Sequence, residues 1–304
     1  MTSGPDRRRE RVRAEIADAR ERAARASGWM FAGLRASNPS RTPWSYEAMA
    51  AGLVREAERL VDLGTGGGER LALIIHGTSA RVIATEEWHV NAPVAYRRLR
   101  PLGVPVVRCS SLALPFGSAS FDLVLDRHEA LEPAEVARVL APRGVVLTQQ
   151  VGPHNWPELR RFFPRKTDFG DHFHDYQRGF RDAGLTIDDV RWHDDTVAFE
   201  RLSDLVFMLL VAPWEAPGFD PERDVDTLIA IEDALRREEG IVLTEPRYLV
   251  RARKPGRRPS AVEAPRASIP CPAKPADRSA PAMNELRDRV TDLRDRIGSL
   301  LVRL

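Results

Sequence analysis

Short apolar runs alternate with helix-like stretches through the middle of the chain. The apolar runs fit five β-strands, at residues 59–63, 81–85, 104–108, 121–125 and 144–149. Between them, apolar positions recur at helical spacing, for example at 93–99 and 133–140. Strands that alternate with helices predict βαβ units, and therefore an α/β fold in which helices cover both faces of a parallel sheet.

The pattern changes in the second half of the chain. A predicted helix at 171–183 ends at Gly184, and a predicted strand at 185–192 follows it. Residues 201–238 are largely helical in pattern, and the apolar run at 241–252 predicts a last strand. Two late strands joined by a helical insertion suit an antiparallel edge on a parallel sheet.

Both ends of the chain differ from this central part. We expect an N-terminal helix and loop that could act as a lid, a central domain that contains the insertion, a Pro-rich linker and a terminal amphipathic helix, at 1–43, 44–254, 255–282 and 283–304. Seven prolines in the linker predict disorder. In the terminal segment apolar residues recur alternately every three and four positions, a heptad pattern that predicts a coiled coil with a second copy, with the N-terminal helix or with a partner helix.

Composition narrows the class of protein. Apolar residues make up 43% of the 304 residues, and the net charge is +2. The segment from Arg251 onward holds thirteen Lys/Arg and six Asp/Glu, so it carries +7 and residues 1–250 carry −5. An acidic body argues against a nucleic-acid clamp, although the basic tail leaves an RNA partner open. The two cysteines, Cys109 and Cys271, exclude a disulfide framework and a paired-cysteine zinc site.

Targeting signals and metal ligands are not expected either. The Arg-rich N-terminus has no secretory pattern, and the longest apolar run, 205–213, is too short to span a bilayer. We therefore expect a cytoplasmic protein with no membrane partner. Residues 171–175 (DHFHD) contain two histidines, but positions two apart do not share a helix face, so no metal site is expected.

One segment, residues 61–69 (VDLGTGGGE), indicates the chemistry. It joins a predicted strand to a predicted helix, and its glycines allow a ligand to approach the backbone closely. A dinucleotide or S-adenosylmethionine (SAM) would suit such a loop. The dinucleotide fingerprint requires glycine where this chain has Glu69, whose carboxylate would repel a pyrophosphate. SAM carries an ammonium and a sulfonium, which tolerate Asp62 and Glu69. Glu86, at the end of the next strand, can accept hydrogen bonds from both ribose hydroxyls.

These residues resemble the class I SAM-dependent methyltransferases. The D-x-G-x-G-x-G pattern of residues 62–68 is similar to the first motif of that family, and Glu86 matches its ribose-binding acid. Residues 114–116 (LPF), 121–124 (FDLV) and 135–144 (EVARVLAPRG) resemble segments of the ubiquinone/menaquinone-type branch. The resemblance implies a Rossmann-like, seven-stranded, mostly parallel sheet with the last strand antiparallel, and SAM as the cofactor.

The resemblance also implies which residues hold the cofactor. The expected cofactor-binding residues are Asp62, Gly64, Thr65, Gly66, Gly68, Glu86, Ser110, Ser111, Leu112 and Asp126. Ser110 is a departure, because the family usually has Asp at this position, where it binds the adenine amino group. A serine hydroxyl is a weaker acceptor than a carboxylate, so adenine binding would depend on backbone groups near Ser111 and Leu112.

His128 is the candidate catalytic residue. It follows the fourth predicted strand, in the loop that faces the methyl donor in this family, and could act as a general base toward a hydroxyl or an amine. Two alternatives remain: Arg127 and Glu129 form a pair while His128 only shapes the pocket, or the sulfonium makes any base unnecessary. The candidate residues for contact with the acceptor are Arg127, Gln149, Trp44, Tyr46 and Trp214.

Three functions are compatible with these patterns. The first is methyl transfer to an oxygen or nitrogen atom of a small molecule, for example in specialised metabolism. The second is RNA methylation, with the basic tail and the Arg-rich N-terminal helix holding the RNA. The third is a non-catalytic SAM-binding protein or scaffold. An NAD-dependent dehydrogenase is disfavoured by Glu69.

The heptad segment generates a first prediction. Removing residues 283–304 should lower the oligomeric state, because a lone amphipathic helix of this length is marginal in water and gains its stability by pairing. The affinity for SAM should stay the same. Light scattering on the two proteins measures the mass, and an unchanged mass would contradict the prediction.

Overall fold

A mixed seven-stranded sheet forms the centre of the protein. The computed structural model describes residues 4–256 except for Met30, Ala32, 39–40 and 167–169. The strands are β1 (Ala36–Ser37), β2 (Arg59–Leu63), β3 (Arg81–Thr85), β4 (Val106–Val107), β5 (Phe121–Arg127), β6 (Leu140–Val151), β7 (Thr186–His193), β8 (Thr196–Phe199), β9 (Arg236–Arg237), β10 (Gly240–Thr244) and β11 (Arg247–Arg253). The α-helices are α1 (Gly4–Ala23), α2 (Tyr46–Val54), α3 (Glu69–Ile74), α4 (Ala92–Leu99), α5 (Pro133–Val139), α6 (His172–Asp182), α7 (Leu202–Val211) and α8 (Val225–Leu235). Three short 3₁₀ helices occupy Arg100–Leu102, Pro157–Arg161 and Pro213–Glu215.

The large sheet has the strand order β4-β3-β2-β5-β6-β11-β7. All pairs among its first five strands are parallel, whereas β11 runs antiparallel to both β6 and β7. The predicted Rossmann-like α/β sheet with an antiparallel last strand is therefore confirmed. In β6 the chain departs from the family pattern, because Arg143 stands where the family has a glycine. Arg143 adopts a left-handed φ of 69°, a conformation that glycine tolerates more easily.

Helices cover both faces of this sheet. One face packs against α2, α3 and α4 through buried residues such as Ala50, Leu71 and Leu99. The other face packs against α5 and α6 through Val136 and Phe180. Both layers bury apolar side chains of the central strands, which removes that surface from water and stabilises the fold.

A second, smaller sheet corrects the prediction for the last strand. The run 241–252 was expected to form one strand, but it divides into β10 and β11. Strand β10 pairs with β8 and β9 in a four-stranded antiparallel sheet of order β1-β8-β10-β9. Pro246 lies at the division, and proline has no N–H with which to continue a ladder. The chain therefore changes sheets there.

The N-terminal helix packs against the helical insertion. Val12, Ile16 and Ala19, the apolar seam of α1, are buried against residues of α7 and α8. The arginines of α1 face carboxylates: Arg9 donates to Asp226 at 2.6 Å and Arg20 to Glu222 at 2.5 Å. The segment 1–43 remains a candidate lid, but α1 itself belongs to this helical layer.

Asp204 is the most buried of these carboxylates, with no accessible side-chain surface. Its Oδ1 accepts hydrogen bonds from Arg22 and Arg201, both at 2.8 Å. Burial favours the neutral carboxyl, but the bonds from Arg201 and Arg22 outweigh it and lower the pKa of Asp204. These three ionised side chains therefore connect α1 to α7.

We predict that Asp204→Ala destabilises the protein by about 3 kcal/mol, because it leaves two guanidinium groups without their buried acceptor. Asp226→Ala removes the exposed partner of Arg9 and should destabilise the protein much less, because water screens an ion pair at the surface. Urea denaturation gives both free energies of unfolding. Equal losses in the two variants would contradict the prediction.

Candidate active site

The carboxyl ends of the parallel strands bring the predicted site residues to one edge of the large sheet. Leu63, the last residue of β2, is paired with Asp126 of β5, and Asp126 with Thr148 of β6. Because the chain leaves each of these strands at this edge, the loops after them lie next to one another. In open α/β sheets, ligands bind at this edge.

The glycine-rich loop is held in place by Glu86. Gly64, Gly66 and Gly68 have positive φ angles of 58°, 63° and 77°, which a residue with a side chain adopts only with strain. The Gly66 N–H donates to Glu86 Oε2 at 2.7 Å, and the Trp88 N–H donates to Oε1 at 2.8 Å. Glu86 is buried, and it joins the end of β3 to the loop after β2.

Side chains lie directly against these glycines. An added Cβ on Gly66 would come within 2.9 Å of Trp29 Cδ1, and one on Gly68 within 2.8 Å of Leu99 Cγ. A Cβ on Gly64 would collide with the Glu129 side chain. Neighbouring side chains therefore pack so closely against the loop that only glycine fits at these three positions.

The N-terminal segment reaches this loop, which the sequence analysis did not anticipate. The Gly28 N–H donates to Asn91 Oδ1 at 2.8 Å, and Asn91 is buried. The next residue, Trp29, lies against Gly66, and its ring centroid is 6.2 Å from that of Trp214. Trp214, predicted as an acceptor residue, is thus one side chain away from the glycine loop.

Arg98 also supports the loop. It donates to the carbonyl oxygen of Gly67 and pairs with Glu69 at 2.6 Å. Glu69, whose charge argues against a pyrophosphate ligand, is thereby neutralised by a neighbour from α4. No motif marks Trp29, Asn91 or Arg98, because their role depends on contacts between distant segments.

Two buried carboxyl groups lie beneath the loop. Asp62, at 8% exposure, and Asp126, at 0%, end neighbouring strands. Asp126 Oδ2 accepts hydrogen bonds from Thr148 Oγ1 and Gln150 Nε2, both at 2.5 Å, whereas its Oδ1 has no partner among the described residues. Burial raises the pKa of Asp62 to about 7 and that of Asp126 well above its ordinary value.

Tyr46 lies close to both acids. Its hydroxyl is buried and has no hydrogen-bond partner within the part of the chain that the structure describes. Burial raises its pKa, and the charges of Asp62 and Asp126 add to the effect. The structure thus brings together three polar groups whose sequence positions are far apart.

His128 follows β5 in a left-handed conformation with φ of 65°. Its N–H donates to the Gln149 carbonyl at 2.9 Å, and its side chain remains exposed at the sheet edge. Desolvation by the surrounding protein, then the charges of Arg127, Arg247 and Arg70, lower the pKa of His128 well below its ordinary value. The imidazole is therefore neutral near pH 7 with a free lone pair, although the same environment makes it a weaker base than an ordinary histidine.

The alternative pairing of Arg127 with Glu129 is not formed. Arg127 makes no hydrogen bond or ion pair with any described residue, and Glu129 lies against Gly64 instead. Gln149, paired in register with Arg127, accepts a hydrogen bond from Trp44 Nε1 at 2.8 Å. Trp44 also packs edge-on against His193, with 6.4 Å between the ring centroids.

The predicted adenine loop follows β4. Ser111 is buried and Ser110 half-buried, and the Leu112 N–H donates to Ser110 Oγ at 3.4 Å. The Ser110 hydroxyl thus bonds within its own loop. Its contact with adenine stays a prediction, as do the other individual residue roles.

Comparison with known proteins addresses the chemistry of this site. Residues 61–148 match the methyltransferase domain family. This segment is a methyltransferase domain. No curated protein shows significant similarity to the chain. Among the described residues, no three His, Cys, Asp or Glu side chains cluster as a metal site, and no helix has the length and apolarity to cross a membrane.

Solved structures share the fold. The YcgJ protein from Bacillus subtilis is 20% identical, with 68% of this chain and 99% of that chain covered, at a TM-score of 0.50. A structure described as a putative methyltransferase from Bacillus halodurans is 18% identical, with 70% and 100% covered, at 0.52. A protein of unknown function from Deinococcus radiodurans is 17% identical, with 80% and 99% covered, at 0.51.

The residues present fit SAM, the cofactor of this class I methyltransferase domain. The positive-φ glycines form the tight turn after β2 that the family motif implies, and Glu86 is fixed beside them. The buried carboxyls Asp62 and Asp126 would find a compensating charge in a bound cation, and Asp126 Oδ1 is still without a partner among the described residues. Cations stabilise the charged form of such acids.

We predict that Asp62→Asn weakens SAM binding and changes the pH dependence of stability. The raised pKa means that the folded protein binds more protons than the unfolded chain between about pH 4 and 7, so the free energy of unfolding falls as the pH rises through this range. In Asp62→Asn the free energy of unfolding should decrease less over this pH range than in the wild type, by roughly 1–3 kcal/mol.

Urea denaturation at pH 5 and pH 8, with calorimetry of SAM binding, measures both effects. Asp182→Asn, at an exposed position of α6, is the matched control. An Asp62→Asn protein with the same pH slope and the same SAM affinity as the wild type would contradict the prediction.

Proposed function

We propose that the protein transfers the methyl group of SAM to an oxygen or nitrogen atom of a small-molecule acceptor. The observation that carries this proposal is His128, an exposed and neutral imidazole at the carboxyl edge of the sheet, next to the buried acids that fit the cofactor. The acceptor would lie between His128 and the Trp44–Gln149 pair, where aromatic and amide groups are combined.

The proposed chemistry requires little from the protein beyond orientation and a base. When bound, SAM supplies a methyl group that its sulfonium makes electrophilic. His128 accepts the proton that the acceptor hydroxyl or amine loses when its lone pair forms the new bond to carbon. The hydrogen bond from the His128 backbone to Gln149 holds the imidazole at the strand end, so that proton transfer needs no rearrangement of the main chain.

RNA methylation receives less support from the described residues. The arginines of α1, which could have held RNA, are largely engaged with carboxylates, for example Arg9 with Asp226 and Arg11 with Glu232. A guanidinium that is already paired offers less to a phosphate backbone. The basic tail and the heptad helix lie outside the described residues, because the structure describes nothing beyond residue 256.

The acceptor class can be tested with SAM that carries a labelled methyl group. The full-length protein is incubated with the metabolite fraction and, separately, with the RNA of a cell extract. We expect label in small molecules and none in RNA. Gly66→Arg, which places a large side chain in the glycine loop, is the inactive control. Label that enters RNA alone would contradict the proposal.

We predict that His128→Ala lowers kcat by 10²–10⁴-fold, roughly the contribution of a general base, with SAM affinity unchanged. Because the pKa of His128 is lowered, the imidazole is already deprotonated, and the wild-type kcat should stay constant between about pH 6 and 8. His76→Ala, at an exposed position after α3, is the control. A kcat for His128→Ala equal to that of the wild type would refute the role.

A further inference from the structure

The guanidinium of Arg127 has no carboxylate partner among the described residues. Its side chain is half-buried at the end of β5, and its Nε is fully buried with no hydrogen-bond partner in the described ranges. No carboxylate of the described residues forms an ion pair with it. A charge that is taken out of water without a partner destabilises a fold, so such a group calls for an explanation.

The neighbouring arginines are compensated, which makes Arg127 the exception. Arg70 of α3 pairs with Glu47 of α2, and Arg247 pairs with Glu245 at 2.5 Å. Desolvation, then the charges of Arg70 and Arg247, lower the pKa of Arg127 to about 10, although the charge of Glu47 acts in the opposite direction. Each neighbouring arginine thus has its own carboxylate, whereas Arg127 forms no ion pair among the described residues.

Strand register shows which groups share the face of Arg127. Arg127 is paired with Gln149, and Arg247 is paired with Val151, two residues further along β6. Residues two apart on a strand point to the same side, so Arg127, Gln149 and Arg247 lie on one face. The bond from Trp44 to Gln149 places the aromatic ring there as well.

The two buried acids of the site lie on different faces. Asp126 precedes Arg127 and is paired with Thr148, whose hydroxyl donates to it. Successive strand residues point to opposite sides, so the strand separates the Asp126 carboxyl from the Arg127 guanidinium. Asp62 is paired with Leu125, two residues before Arg127, and therefore shares the face of Arg127, but the two side chains form no ion pair. Neither acid therefore serves as the missing anion.

We propose that the methyl acceptor carries an anionic group, a carboxylate or a phosphate, and that the Arg127 guanidinium binds it. This inference rests on the proposed function, because it takes the His128 end of the sheet as the acceptor side. A planar guanidinium can bind either anion through two parallel hydrogen bonds. His128 lies close enough to Arg127 and Arg247 that their charges act on its imidazole, so an acceptor held by its anion would present its reacting atom near the base.

The test measures anion binding rather than methyl transfer. The SAM-saturated full-length protein is titrated with inorganic phosphate and with benzoate, at constant ionic strength set by chloride, and thermal unfolding and calorimetry are followed. We expect at least one of the anions to bind in the millimolar range, on the order of 1 mM, and to raise Tm. The anion that raises Tm more identifies the class of the group.

Arg127→Gln should weaken this binding at least about tenfold. Arg59→Gln, at the opposite edge of the sheet where Arg59 pairs with Asp122, should bind like the wild type. In chloride alone, Arg127→Gln should unfold at the same or a higher temperature than the wild type, since it removes an unpaired half-buried charge. If Arg127 had only a structural role, Arg127→Gln would instead lower Tm in every buffer.

The proposal is overturned if neither anion binds the wild type up to about 50 mM, or if Arg127→Gln binds as tightly as Arg59→Gln. Arg127→Met, which keeps the apolar stem, is a second variant; failure of both variants to fold would show a structural role and overturn it too. Anion binding through Arg127 in a protein that labels only RNA would sustain this inference and refute the proposed function.

Discussion

The hydrogen bond from the Gly66 backbone to the Glu86 carboxylate organises the site. It joins the loop after β2 to the end of β3, and it requires a glycine at a φ of 63° so that the backbone can turn toward the acid. The other site residues take their positions from the same arrangement. Asp62 lies at the end of β2 itself, and Asp126 and His128 lie at the end of β5, which runs parallel to β2 and finishes at the same edge.

At this edge of the sheet, burial disfavours the charged forms of three side chains. Asp62 and Asp126 have raised pKa values because they are buried, and Arg127 has a lowered one for the same reason. Elsewhere the protein pairs its buried charges, as Asp204 with Arg22 and Arg201 shows. Groups left uncompensated in one place are typical of sites where a ligand completes the electrostatics. A cationic cofactor beside the two acids and an anionic acceptor beside Arg127 would do so here.

Much of the central sheet could be predicted from the sequence, because apolar periodicity reflects burial directly. Strands β2 and β3 begin and end where the runs 59–63 and 81–85 placed them, and Glu86 lies beside the glycine loop as the motif implied. The prediction of one strand at 241–252 was wrong. The apolar pattern continues across Pro246, but the chain changes from one sheet to the other there. Hydrophobicity shows that a segment is buried, but not which sheet buries it.

The α/β class, the glycine loop and the cofactor could be predicted from the sequence, because they depend on local spacing and on residue types with few uses. The contacts in the folded protein were needed to show that Trp29 lies against the loop, that Asn91 holds the neighbouring Gly28, that most arginines of α1 are paired, and that Arg127 has no partner in the described ranges. Each of these depends on contacts between segments far apart in the chain. Whether a charge is compensated is a property of its three-dimensional neighbours, and no spacing along the sequence records it.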